Sequence, residues 1–470
     1  MAEWRITEEN PVREDIEGLD FERCAALHNL IAERGWTQRG KDPDQLDRTT
    51  WWECYGGDSS LESYARRLDD SVISFLKLAW SGFSKDLAHG HTFHHILLGL
   101  SAPEDLWNNE IYDDYDDGTS KYNFITLYSG NWQLADGHSL GLVFNQEEFS
   151  AMQTLSIEDR DITMNGRQEW VRLEQILEAL LEMMDQRKVV AIDDSYSGKQ
   201  EHSFPWIMSS YTEYDLQESL KAVDALISAI EERMPVRPAQ TGFEIGFIDT
   251  NDPEISTMFP PGTFARRFLE QARRPRFTYF APGLQIATTQ PFASVSVVNE
   301  NTLRPVLLLQ SSALASRNTF RTPWGESYST SAFHGDFRDI EQYPSGLYLT
   351  EIRPHGDSPF EDGCKLILPY PIGENGWART SDGAVFGEAN MSSGEVAVPS
   401  PTSTELFQLG YNHFIKGHDV QLKDVLWRWV ELVESGKWEV DENGVKDNIE
   451  KWREADTEDC WQEYQLPMDW

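Results

Sequence analysis

Four of the eleven histidines, His89, His91, His94 and His95, fall within seven residues. On a helix, His91 and His95 are four apart and share a face, the spacing that brings two imidazoles onto one Zn or Fe ion. Asp136 or His138, in what reads as a hairpin turn, can add a third donor. The expected metal set is therefore His91, His95 and His138. No Glu stands between the histidines, so the zinc-protease motif is absent. Partly buried polar residues at a helix start would give the same pattern without a metal.

Carboxylates supply a second group of candidates. Asp193 and Asp194 end an apolar run and precede Ser195-Tyr196-Ser197-Gly198, where strand-end carboxylates can hold a metal or act as base. A turn with Asx hydrogen bonding has the same composition. Asp113 to Gly118 begins like a Ca²⁺ loop, but Phe124 stands where the pattern needs a bidentate Glu. No GxSxG elbow, Walker loop or GxGxxG is present.

Basic residues concentrate in FARRFLEQARRPRF. Arg266 and Arg273, and Arg267 and Arg274, are seven apart and are expected on one helical stripe that could grip a phosphate or carboxylate. Pairing with the protein's own acidic surface is the competing expectation. The stretch from Ser345 to Glu388 adds Arg353, His355 and Arg379 on loops between two apolar runs, GLYLTEI and CKLILPY. Loops of this kind, carried on rigid strands, can form a small-molecule site.

The elements that must hold these groups follow from periodicity. Helices are expected over 18–35, 61–80, 169–187, 211–234, 263–272, 419–435 and 444–455, and at the His cluster. Strands are expected over 122–128 and 139–144 as a hairpin, at 189–192, and in the second half over 277–280, 284–288, 294–298, 305–309, 346–352 and 364–369. This makes an α+β chain, its helix-rich N-terminal half packed on a mixed or antiparallel sheet in the C-terminal half. The expected division is 1–235, a Pro-rich linker over 236–262, and 263–470.

Seventy-nine acidic against forty basic residues give a formal charge of −39. A surface this negative disfavours nucleic acid and anionic membranes as partners. No run is long enough to span a bilayer, and the charged start predicts no secretory leader. Four scattered cysteines without a CxxC pair fit a reducing cytoplasm. Seventeen tryptophans are many, and several stand in polar segments.

FEDGCKLILPYPIG, GWARTSDGAVFGE, PWIMSSYTEYDL and the ending KWREADTEDCWQEYQLPMDW resemble a group of fungal cytosolic proteins of uncharacterised function. That resemblance implies no reaction. The segment DVLWRWVELVESG, following a Gly-rich strand region, is similar to Smi1/Knr4-type protein-binding modules. The DDxxE motif of fungal arginine-containing cyclodipeptide synthases is not met, since Ile73 and Ser197 stand where its Glu would follow Asp69–Asp70 and Asp193–Asp194. Two readings remain. One is an acidic cytoplasmic binding or regulatory module for a protein or small-molecule ligand. The other is an enzyme of unusual type, with a site between the halves.

Overall fold

A computed structural model of the chain describes residues 2–84, 92–107, 123–131, 141–154, 170–193, 195, 205–236, 245–247, 259–298, 302–321, 327–333, 335–350, 352, 360–387, 399–410 and 419–467. The fold is α+β. It divides into two units, Met1–Ser209 and Ser210–Asp469.

In the first unit, Asp20 caps helix α1, Phe21–Gln38, by accepting the Arg23 N–H. Cys24, Leu27 and Ile31 form its fully buried face. The single helix expected over 61–80 is two, Gly57–Ala65 and Asp70–Leu76. Asp69 is the reason: it is extended, and its carboxylate accepts the Ser71 N–H, starting a new helix. The helix expected at the His cluster is also corrected. His94 and His95 lie in a tight turn, where the His94 N–H bonds the Leu97 carbonyl just before strand β1, Leu97–Leu100.

The predicted hairpin is present as β2, Phe124–Gly130, against β3, Gly141–Asn145, with Ile125 opposite Phe144. It is the middle of an antiparallel sheet ordered β1-β2-β3-β4, the last being Ser150–Thr154. Of the outer strands, β4 escapes sequence reading because it is buried at every position, which removes the period-two alternation. Gly141 has φ +98°, and a Cβ there would lie 2.1 Å from the Tyr128 carbonyl oxygen, so no side chain fits.

The second unit starts earlier than the sequence suggests. Helix Glu213–Arg233 has the predicted cap: Thr212 and Asp215 exchange hydrogen bonds of 2.8 and 3.1 Å. Its stripe, Leu216, Val223, Ile227 and Ile230, shares one core with Trp429 and Val433 of helix Leu422–Glu434. The boundary therefore falls before this helix, not after it. Phe247 and Phe259, in the supposed linker, are buried in the same core.

The sheet of this unit has seven strands in the order 364–367, 342–349, 306–316, 284–286, 279–281, 444–445, 440–441. All pairings are antiparallel except Gly444 with Tyr279, so the sheet is mixed. Alternate residues enter different cores. Leu347, Leu349, Cys364 and Leu366 join the helices, whereas Tyr348 and Ile367 join a cluster around Phe292, Phe333 and Tyr343. Two-sided burial explains why GLYL and CKLI read as continuous apolar runs. The strand expected at 294–298 is irregular, with Val298 exposed. The final expected helix is a two-residue strand followed by a 3-10 helix, Ile449–Asp456.

Candidate functional site

An open concavity in the first unit has a volume of about 690 Å³. Its lining comes from four places in the chain, Arg172 being one. Residues 16–18 lead into α1; Asp69 and Asp70 start the helix Asp70–Leu76; Phe149 stands in the turn between β3 and β4. Local hydrogen bonds fix each wall. Gly18 turns at φ +90°, and the next amide, of Leu19, donates to Ser71 Oγ at 3.0 Å. Gln146 holds the start of the second wall, accepting the Asp69 N–H at 2.9 Å and donating to the Arg67 carbonyl at 3.1 Å. Phe149 takes a left-handed φ of 53°, uncommon for a bulky residue.

Chemically the cleft is acidic and aromatic. Glu17 and Asp70 are exposed, Asp69 is half-buried, and half-buried Phe21 and Phe149 supply apolar surface. None of these three carboxylates forms an ion pair among the described residues. Arg172 is the lining cation, and its Nη1 donates to the Gly18 carbonyl at 3.2 Å. Periodicity misses this site because no two of its walls are neighbours in sequence. The one readable signal is the doublet Asp69–Asp70.

The candidates named from sequence are mostly occupied or outside the described residues. Asp194, Arg353, His355, His91 and His138 lie outside them, as do His89 and Asp136. Asp193 is exposed and accepts the Ser195 N–H at 2.8 Å, the Asx turn that its composition also allows. Arg379 is engaged: one guanidinium nitrogen donates to the carbonyls of Gly376, Trp377 and Ala378, and the group lies 4.9 Å from the Trp461 ring centroid.

The arginine stripe is corrected in two ways. The helix is Phe264–Gln271, so Arg273 and Arg274 lie past its end. The arginines also have partners within the protein. Arg266 pairs with Glu270, Arg267 with Glu213, and Arg273 with both Asp224 and Glu231. Arg274 donates to the Phe247 carbonyl. The stripe fastens this helix to Glu213–Arg233, and the expected anion site gives way to that role.

The Gly-rich return after CKLILPY is built around one carboxylate that the sequence does not flag. Asp456 Oδ2 accepts the N–H groups of Gly373 and Asn375 at 3.0 and 2.7 Å, and Oδ1 those of Trp377 and Ala378 at 2.8 and 3.0 Å. Nearby, Glu361 accepts the first N–H of helix Phe264–Gln271 and the Ser210 hydroxyl.

The first unit also buries a polar pair. His28 is fully buried, with Tyr128 Oη 2.9 Å from Nδ1 and the Trp80 carbonyl 2.8 Å from Nε2. A carbonyl only accepts, so Nε2 carries the proton and Nδ1 accepts from the tyrosine. Burial pushes the imidazole down to about 4, against the smaller upward effect of the Trp80 carbonyl. Cys24 contacts Glu174 at 3.6 Å; burial raises both groups, so the thiol is a poor nucleophile. All four cysteines are free.

No protein-family model, curated protein or solved structure matches the chain. Among the described residues no helix is long and apolar enough to cross a membrane.

Proposed function

We propose that this protein acts by binding, and that its partner is cationic. The observation that carries the reading is the cleft of the first unit. It is open to solvent, rimmed by Glu17, Asp69 and Asp70, which have no ion-pair partner among the described residues, and lined by Phe21 and Phe149. A lysine or arginine side chain suits such a surface. Its head pairs with the carboxylates, its stem lies on apolar rings, and the rings attract the charge. The overall charge of −39 steers cations toward the protein and repels phosphate backbones. Catalysis draws less support, because Asp193 and Arg379 are held by backbone groups. Kinship with fungal cytosolic proteins and a cytoplasmic location belong to the same proposal and add no reaction to it.

The test is titration of a fluorescein-labelled nona-arginine peptide into the purified protein at low salt. Saturable binding is expected, weakening as salt rises. In Glu17→Gln/Asp70→Asn the Kd should rise about tenfold, the effect of losing roughly 1.4 kcal/mol. Equal Kd values would mean that the general negative field, not the cleft, holds the peptide, and the proposal would fall.

A further inference from the structure

Among the described residues, three besides glycine take a left-handed φ: Phe149 at 53°, Arg187 at 62° and Asp447 at 72°. Two have local reasons. Arg187 follows the cap of helix Leu173–Asp185, where chains commonly turn left-handed, and its N–H bonds the Met184 carbonyl. Asp447 has the short polar side chain that tolerates this backbone. Phe149 has neither reason. A bulky residue held this way costs the fold free energy, and such positions gather at ligand clamps.

The turn itself does not call for a phenyl ring. Asn145 pairs with Ser150 across its base, and Asn145 Oδ1 accepts the N–H groups of Glu147 and Glu148 at 2.9 and 3.4 Å. The Gln146 N–H bonds the Asn123 carbonyl, and its side chain is fastened to Asp69 and Arg67. Gly or Asn would follow the same path without strain. The ring is half-buried and lines the cleft, its Cε1 3.8 Å from where a Gly18 Cβ would stand. Ser71 Oγ is 2.9 Å from that same point, and it donates to Asp69 Oδ1, which also accepts the Ser71 N–H. The ring therefore stands beside a carboxylate whose orientation is set before any ligand arrives.

We infer that Phe149 is the residue by which the cleft selects arginine over lysine, an inference that rests on the cationic reading of the same cleft. A guanidinium is planar and weakly hydrated, so it stacks on a ring while its N–H fork meets a carboxylate. An ammonium is compact and strongly hydrated, and it gains less from the same pair. General negative charge does not distinguish the two cations; a ring beside a fixed acid does. The strain at Phe149 is kept for what the ring contacts, and arginine-rich segments are the class of partner.

The test compares fluorescein-labelled nona-arginine with nona-lysine, which carry equal charge. The parent should bind nona-arginine about fivefold more tightly than nona-lysine. Phe149→Leu, which keeps apolar bulk but has no ring, should lower that preference about threefold, and Phe149→Tyr should retain it. Phe149→Asn should lose the preference too, yet melt within about 2 °C of the parent or above it, since strain is relieved as apolar contact is lost. An unchanged preference in the Leu and Asn variants, or none in the parent, would overturn the inference. So would a melting temperature lower by more than about 5 °C in both variants, because the ring would then be kept for packing. Glu17→Gln/Asp70→Asn keeps the two claims apart. If it binds both peptides more weakly while the Phe149 variants keep the parent's preference, the cationic reading stands and this inference falls alone.

Discussion

Asp456 in the second unit accepts four backbone N–H groups, whereas Glu17 and Asp70 on the cleft of the first unit are exposed, with no ion-pair partner among the described residues. The difference is what each carboxylate is left to do. One is consumed in holding a loop and has no capacity for a ligand. The others cost little to build and remain free. A group satisfied by its own fold is evidence of architecture, and an unsatisfied group at a concave surface is evidence of a partner.

The sharpest way to break the comparison is at Asp456. In Asp456→Asn, an amide NH₂ must face N–H donors, and the charge that strengthens the remaining bonds is lost. The loop from Gly373 to Ala378 should lose its anchor, with a cost of about 3–5 kcal/mol in urea unfolding, as for one partner removed from a buried charged contact. A cost under about 1 kcal/mol, within the range of ordinary surface substitutions, would place Asp456 in the same class as the cleft acids.

His28 is the first unit's own consumed polar group and gives the next effect. Its folded pKa of about 4 lies below its ordinary 6.5. Between these values the unfolded chain takes up a proton that the folded imidazole refuses. Its stabilising contribution is therefore full above pH 6.5 and falls as pH drops toward 4, by on the order of 2–3 kcal/mol. Urea midpoints between pH 7.5 and 4.5 should fall accordingly. An NMR titration that finds His28 charging near 6.5 would contradict its buried, bonded state.

How far the molecule was legible follows from the same distinction. The capping box at Thr212 and Asp215, and the helices at 213–233, 264–271 and 422–434, were readable because caps and 3.6-residue periodicity are local. The break at Asp69 was misread because the apolar spacing continues through it while one side chain redirects the backbone. Strand β4 carries no alternation to read, since it is buried at every position. The unit boundary was misplaced because prolines mark turns as readily as linkers, and Phe247 and Phe259 are core residues. At the candidate sites, residue types were visible but their occupancy was not. Nothing in ARRFLEQARR shows that Glu213, Asp224 and Glu231 await its arginines.

Those arginines give a third, smaller effect. Arg273, largely buried, bridges Asp224 and Glu231 and also donates to Ser228. Arg273→Ala should destabilise the second unit by about 1–2 kcal/mol, more than an exposed pair and less than a buried charge stripped of all partners. Arg267 pairs with an exposed Glu213 near the surface, so Arg267→Ala should cost at most about 0.5 kcal/mol. Equal losses for the two would mean that burial does not set their worth.

The smallest stability effect belongs to the cleft, and there smallness is the point. Glu17 and Asp70 are exposed and outside any ion pair among the described residues, so Glu17→Gln/Asp70→Asn should leave unfolding within about 0.5 kcal/mol of the parent. Asp70 sits in the first helical turn, where its charge meets the positive helix end, so what loss there is should come from it and shrink with salt. A large loss would show that these acids are structural in a way their surroundings do not reveal, and a weaker peptide affinity could then reflect misfolding. A neutral result, with cationic binding weakened, separates the two roles: carboxylates that hold the fold have no charge to spare, and those that bind do not hold the fold.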